Sequence, residues 1–301
     1  MAIKVRFDLA APYEVEEVDV PFARPGGTEL LARIYRPKGE PSEPLAALVD
    51  VHGGAWNKGD RTTGVHHGRG LAASGLVVVS LDFRQGPDHR HPAGSADVAA
   101  GVRWVRVHAS RLGVDPRRIG IAGSSSGGQL ALLVAVKPGA PEHVGTPIVL
   151  PDSSLDTSAG DDSVAFVLAL YPVADPLARY HYVLGREHEP PQPPPAFDAR
   201  RLLASHRSYF ADEAAMAEAS VTRIVSTGEA RALPPVWLAQ PELDDNVPAA
   251  ITEAFVRAYD KAGGRVEHVH FPGARHGFVQ QASADTDKAI ALMRAFIARQ
   301  V

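Results

Sequence analysis

The sequence predicts an α/β fold built on a mostly parallel sheet, and three observations carry that expectation. Continuous apolar runs of strand length recur along the chain, among them LAALVDV at 45–51 and LVVVSL at 76–81. Segments of helical period stand between them. Strands apolar on both faces mark a sheet covered on both sides, and right-handed crossovers between parallel strands then place helices on both faces.

The elements follow in order. Segments 14–20 and 29–36 alternate as strands do, joined by the Pro/Gly turn ARPGGTE. Runs 45–51 and 76–81 read as buried strands, and a helix containing Gly68–Ser74 lies between them. Over 95–112, Val98, Val102, Val105 and Leu112 recur at helical spacing. Asp115-Pro116 gives a turn and Arg118–Ala122 a short strand. Ser126–Val136 is a small-residue helix, ended by Lys137-Pro138-Gly139. Ser163–Tyr171, Val236–Gln240 and Val266–Phe271 are further strands, with helices at 248–262 and 283–299.

Residues 175–232 lose the strand pattern. They hold the Pro-rich run EPPQPPPAF (189–197) and two helical patches, too long an excursion for a plain connection. The expected organisation is a core domain of 1–174 and 233–301 and an inserted cap or lid of 175–232 over the C-terminal edge of the sheet, where ligands bind in open α/β folds. Tyr180, Tyr182, Phe197, Tyr209 and Phe210 give that segment apolar surface to bury, which argues against a disordered loop.

Composition narrows the function. Among 301 residues the formal net charge is −4, which points to no nucleic-acid partner. Cysteine is absent, so disulfides, thiolate chemistry and Cys-based metal sites are excluded. No run approaches the roughly 18 apolar residues of a membrane span, and the N-terminal stretch lacks a signal-peptide pattern. The expectation is a soluble, cytoplasmic protein with no metal or organic cofactor and no membrane partner.

Residues 119–128 read IGIAGSSSGG. The frame Gly-x-Ser-x-Gly falls on Gly123–Gly127 with Ser125 at its centre. Such a serine sits on a sharp strand-to-helix turn, between neighbours small enough for strand and helix to approach. The helix N-terminus supplies partial positive charge, and the Ser126 N–H can face a developing oxyanion. A frame on Ser124-x-Ser126-x-Gly128 lacks the first glycine, and a serine-rich helix cap is the bland alternative. HGGAW at 52–56 directly follows a buried strand, so the Gly53 and Gly54 N–H groups can point into the same cleft; His52 reads as orienting that loop.

A nucleophilic serine needs a base, and the base a carboxylate, in the order Ser, Asp or Glu, His. PELDDNVP (241–248) follows one strand and PGARHGF (272–278) the next. His276 is therefore the base. Asp244 is the first choice of acid, with Glu242 and Asp245 beside it, because Asp245 and Asn246 are better placed to cap the following helix. Trp56 reads as a wall of the substrate pocket or as core. His268 and His270 share one face of a strand and read as packing residues, and Arg84, Asp88 and Asp97 as structural.

Together these residues resemble the α/β-hydrolase superfamily and, within it, the hormone-sensitive-lipase-like carboxylesterases. The resemblance rests on His52–Trp56, Asp82-Phe83-Arg84, Pro87, Asp88, His91-Pro92-Ala93, Asp97, GSSSGG at 123–128, Tyr171-Pro172, Asp244–Pro248 and His276-Gly277-Phe278, spread over nearly the whole chain. It implies a serine esterase of small, short-acyl or aryl esters, acting through an acyl-enzyme. Three departures stand out: Ser124 and Ser126 replace the usual Asp and Ala beside the nucleophile, HGGA replaces HGGG, and the N-terminal region reads as strands rather than a helical cap element. HGGAWxxGD (His52–Asp60) is also similar to the acetyl-xylan/feruloyl esterase and arylformamidase branches, which keeps a small amide open as substrate. A non-catalytic ligand-binding homologue is the further alternative. In relatives the 266–299 edge is a common dimer contact, so a homodimer is an open expectation.

Overall fold

The computed structural model describes residues 3–190 and 197–301; most of the Pro-rich run lies outside them. The first half runs β1 (Lys4–Val5), β2 (Val15–Ala23), β3 (Leu30–Pro37), β4 (Glu40–Pro41), β5 (Leu45–Val51), α1 (Val65–Ala72), β6 (Val77–Leu81), α2 (Ala93–Val107), α3 (Ala109–Leu112), β7 (Val114–Ser124) and α4 (Ser126–Val136). Then come β8 (Ile148–Val149), β9 (Leu155–Asp156) and β10 (Val167–Leu170). Residues 175–232 contribute α5 (Pro176–Leu184), α6 (Ala199–Tyr209), α7 (Glu213–Glu218) and α8 (Val221–Ser226). The chain closes with β11 (Val236–Pro241), α9 (Ala249–Lys261), β12 (Val266–Phe271) and α10 (Ala284–Ile297).

The main sheet has the order β12-β11-β10-β7-β5-β6-β3-β2-β8-β9. Its first six strands are parallel, and antiparallel pairing begins between β6 and β3. Alternation along each strand sends neighbours to opposite cores. Val49, Val79, Ile121 and Leu238 join the core that includes α2, α4 and α9, while Leu48, Val78, Leu168 and Trp237 join the core that includes α1 and α10. The chain leaves β5 for β6 on one side and returns to β7 on the other. The β5/β7 boundary is thus the switch point, where the two connections diverge and open a crevice at the strand C-termini. Val51 is in register with Gly123, so HGGA and GSSSG emerge side by side.

Several elements depart from the sequence reading. The helix expected over 95–112 breaks at His108, whose Nδ1–H donates to the Trp104 carbonyl at 2.9 Å, and ends at Gly113, which has φ 69°. The short β8 and β9 extend the sheet beyond β2, with no apolar run to announce them. The described residues of 175–232 hold four helices rather than two patches. Each opens on a side chain that accepts an N-terminal N–H: Asp175 from Ala178, Asp198 from Arg201, Asp212 from Ala215 and Ser220 from Arg223. Arg84 pairs with Asp97 at 2.8 Å, and Asp97 also accepts from Thr146, a buried link that ties the loop after β6 to α2. Among the described residues no helix is long and apolar enough to cross a membrane.

Candidate active site

Ser125 stands between β7 and α4 with φ 53° and ψ −118°, a conformation that L-residues rarely adopt. The surroundings hold it there. Its N–H donates to the Leu170 carbonyl at 2.9 Å, and its own carbonyl accepts from Val173 at 3.0 Å. Gly127 is needed for close approach, since a Cβ there would lie 2.2 Å from the Val51 and His52 carbonyl oxygens. At Gly123 a Cβ would meet the Gly127 carbonyl oxygen at 2.3 Å. The two glycines of the frame therefore let α4 start hard against the ends of β7 and β5.

His276 follows β12 and Asp244 follows β11. Asp244 Oδ1 accepts from the Asn246 and Val247 N–H groups at 3.0 and 2.8 Å. This fixes a fully buried carboxylate and aims Oδ2 at His276 Nδ1, 2.9 Å away. Because that carboxylate can only accept, Nδ1 carries the proton, and the Nε2 lone pair faces Ser125 Oγ at 2.9 Å. The Tyr171 ring meets the imidazole edge-on with centroids 4.8 Å apart. The structure thus brings Ser125, His276 and Asp244 into one hydrogen-bonded row. It does not bring in the other acids: Glu242 is exposed and accepts from the Gly273 N–H, while Asp245 lines the cavity mouth.

Gly53 and Gly54 flank this row. A Cβ on Gly53 would sit 3.3 Å from Ser125 Cβ, and Gly54 adopts φ 123°. Their N–H groups have no protein acceptor among the described residues, and the Ser126 N–H, in the first turn of α4, has none within its helix. His52 Nδ1 lies 2.7 Å from the Gly53 carbonyl, and its ring stacks on Phe83. Burial holds His52 below the ordinary histidine range, so it serves as a neutral prop for the loop.

Trp56 corrects the sequence reading. It is 0% exposed and does not line the cavity. Its indole N–H donates to Gln129 Oε1 at 3.0 Å, its backbone N–H to Ser126 Oγ at 3.2 Å, and its ring stacks on Tyr209 of α6. A large ring on the glycine loop is buried because α6 covers it, and it joins the loop to the 175–232 segment instead of walling a pocket.

Ser125, His276 and Gly54 open into a cavity of about 500 Å³ whose other walls include Arg179, Leu202 and Phe197. Arg179, absent from the sequence reading, is 1% exposed. It donates to the Asn246 carbonyl at 3.2 Å and to Asn246 Oδ1 at 2.5 Å. Burial lowers its pKa to about 10, which still leaves it charged at neutral pH. A signal existed: the buried stripe of α5 is Pro176, Arg179, Tyr180 and Val183, an arginine on the apolar spacing of a helix.

A family model described as alpha/beta hydrolase fold matches residues 48–280. Esterase LipC of Mycobacterium tuberculosis is 29% identical over 250 residues, which make up 82% of this chain and 57% of that protein; the chain therefore spans little more than half of this curated relative. A hyperthermophilic esterase from the archaeon Pyrobaculum calidifontis superposes with a TM-score of 0.74 at 27% identity, over 97% of this chain and 86% of that one. A thermophilic esterase from Thermogutta terrifontis, solved with propionate bound, gives 0.69 at 26% identity, over 96% and 94% of the two chains. The family match takes in the glycine loop, the Ser125 turn and His276 together, and by it the chain belongs to the alpha/beta hydrolase fold family.

Proposed function

We propose that this protein is a serine carboxylesterase that hydrolyses small esters through an acyl-enzyme on Ser125. One observation carries the reading: a continuous row from Asp244 through His276 to Ser125, opening on a cavity beside unpaired backbone N–H groups. His276 Nε2 takes the Ser125 proton as Oγ attacks the ester carbonyl. Asp244 holds the ring and stabilises the imidazolium. The N–H groups of Gly53, Gly54 and Ser126 receive the oxyanion, each worth about 3 kcal/mol in the transition state. The imidazolium then protonates the leaving alcohol, and water, activated by the same nitrogen, releases the acid.

In this reading residues 175–232 are the cap, and the size of the cavity suits a short acyl or aryl ester. The propionate-bound relative supports a short acyl group. A cytoplasmic location and pairing of two copies through the 266–299 edge belong to the same proposal; fractionation and light scattering test them. Hydrolysis of p-nitrophenyl esters from acetate to octanoate is the direct assay. Ser125→Ala is expected to lower kcat by at least about 10⁴-fold, while Ser124→Ala stays within about tenfold of wild type. Full activity in Ser125→Ala would overturn the assignment, and an inert wild type would turn attention to amides.

A further inference from the structure

The cavity at Ser125 is unevenly charged. Lys58, Arg179, Arg201 and Arg275 line it against a single carboxylate, Asp245. Asp244 is already committed to His276 and two backbone N–H groups. Arg179 is the decisive member. Its described partners, the Asn246 carbonyl, Asn246 Oδ1 and, at 3.4 Å, His206 Nε2, are all neutral acceptors. They take three of its five N–H donors, so one N–H on each terminal nitrogen has no protein acceptor among the described residues. No described carboxylate pairs with it. The negative charge nearest in effect, Asp244, is shared with His276, so the buried guanidinium keeps free donors and only part of a countercharge. Arg201 and Arg275 are exposed at the cavity walls, where they would draw an anion inward.

We propose that the substrate is an ester bearing a carboxylate, bound by Arg179 within the cavity and steered there by Arg201, Arg275 and Lys58. This deepens the esterase reading and rests on it for the reaction, though not for the binding. Arg179 is here a specificity residue: it selects by charge and takes no part in bond making.

The test uses pairs that differ in charge alone. On the alcohol side these are 4-acetoxybenzoate and 4-acetoxybenzamide; on the acyl side, monophenyl adipate and the phenyl ester of its monoamide. The acid is expected to exceed the amide in kcat/KM by at least about tenfold at low salt in one pair, which also assigns the side, with the preference shrinking as salt is added. Arg201→Gln/Arg275→Gln and Arg179→Met should each cut the ratio at least about threefold, while Arg117→Gln, on the far surface, leaves it unchanged. The double variant alters exposed side chains and so keeps the test open if Arg179→Met fails to fold. Calorimetry on Ser125→Ala reads binding of the same pairs without turnover. Hydrolysis of both pairs with no charge preference, or a preference untouched by the arginine variants, overturns this inference and leaves the esterase reading intact. Tighter binding of the acids with no turnover by wild type overturns the esterase reading and keeps the anion site. Equal binding of acid and amide overturns the anion site on its own.

Discussion

At the scale of single residues, the site depends on what is missing as much as on what reacts. Gly127 lets α4 begin against the ends of β5 and β7, and a methyl group there meets two carbonyl oxygens at 2.2 Å. Gly127→Ala is expected to cost about 1–3 kcal/mol in urea unfolding and to lower kcat more than it raises KM, because Ser125 and the loop donors are displaced together. A fully active, fully stable variant would show that the turn tolerates relaxation. The serine, histidine and aspartate could be named from the sequence because chain order and flanking glycines mark strand ends. The sequence reading chooses Asp244 over Asp245 by giving Asp245 and Asn246 to the next helix as caps; α9 instead opens on Pro248 with no side-chain cap, and what singles out Asp244 is that the Asn246 and Val247 N–H groups turn back onto its Oδ1. Arg179 was marked only by its place on the apolar stripe of α5, a pattern that reports burial but not what the buried face meets.

At the scale of elements, the central parallel strands β5, β6 and β10 were legible because each is a continuous apolar run, while the edge strand β12, VEHVHF, showed instead by alternation. The two-residue β8 and β9 were not legible, since their pairing is set by neighbours. The 175–232 helices were half legible: their caps are Asp and Ser, common in any polar stretch, and only packing distinguishes a used cap from an idle one. The joint between this segment and the core is Trp56, in contact with Tyr209, Phe210 and His206. Trp56→Ala is expected to destabilise by about 3–5 kcal/mol and to speed proteolysis within 197–226 before the core unfolds. Simultaneous cleavage across the chain would place the weak joint elsewhere. A second tie runs from α5 through Arg179 to Asn246, whose N–H in turn holds Asp244. Asn246→Ala keeps both backbone contacts and removes only the Oδ1 acceptor of Arg179; it should therefore lower kcat about tenfold with a smaller change in KM, and equal activity would show that the Arg179–Oδ1 bond is not needed to hold the loop that orients the carboxylate.

For the whole molecule, acid acts through two buried histidines. Burial lowers His91 to about 4 and His206 well below its ordinary 6.5, and both rings pack against Phe210. The unfolded chain takes up protons at these sites as pH drops below about 6.5, while native His91 does not until about 4 and native His206 is held well below its ordinary range, so stability falls with pH across that window. His67, raised by Asp50 against the effect of its burial, works in the opposite sense: the folded chain binds its proton more readily than the unfolded one, so it adds stability as pH falls toward 6.5. Urea midpoints at pH 7.5 and 4.5 should differ, and His91→Asn should narrow the gap; a flat profile contradicts neutral burial. The fold also sets a schedule. Ser125 and His276 are 151 residues apart in the chain, and the ribosome adds about 5–20 residues each second. For about 8–30 seconds of every synthesis, Ser125 exists without its base. A nascent chain therefore carries an unarmed hydroxyl past every ester in its surroundings, and reactivity arrives only when the chain has grown past β12.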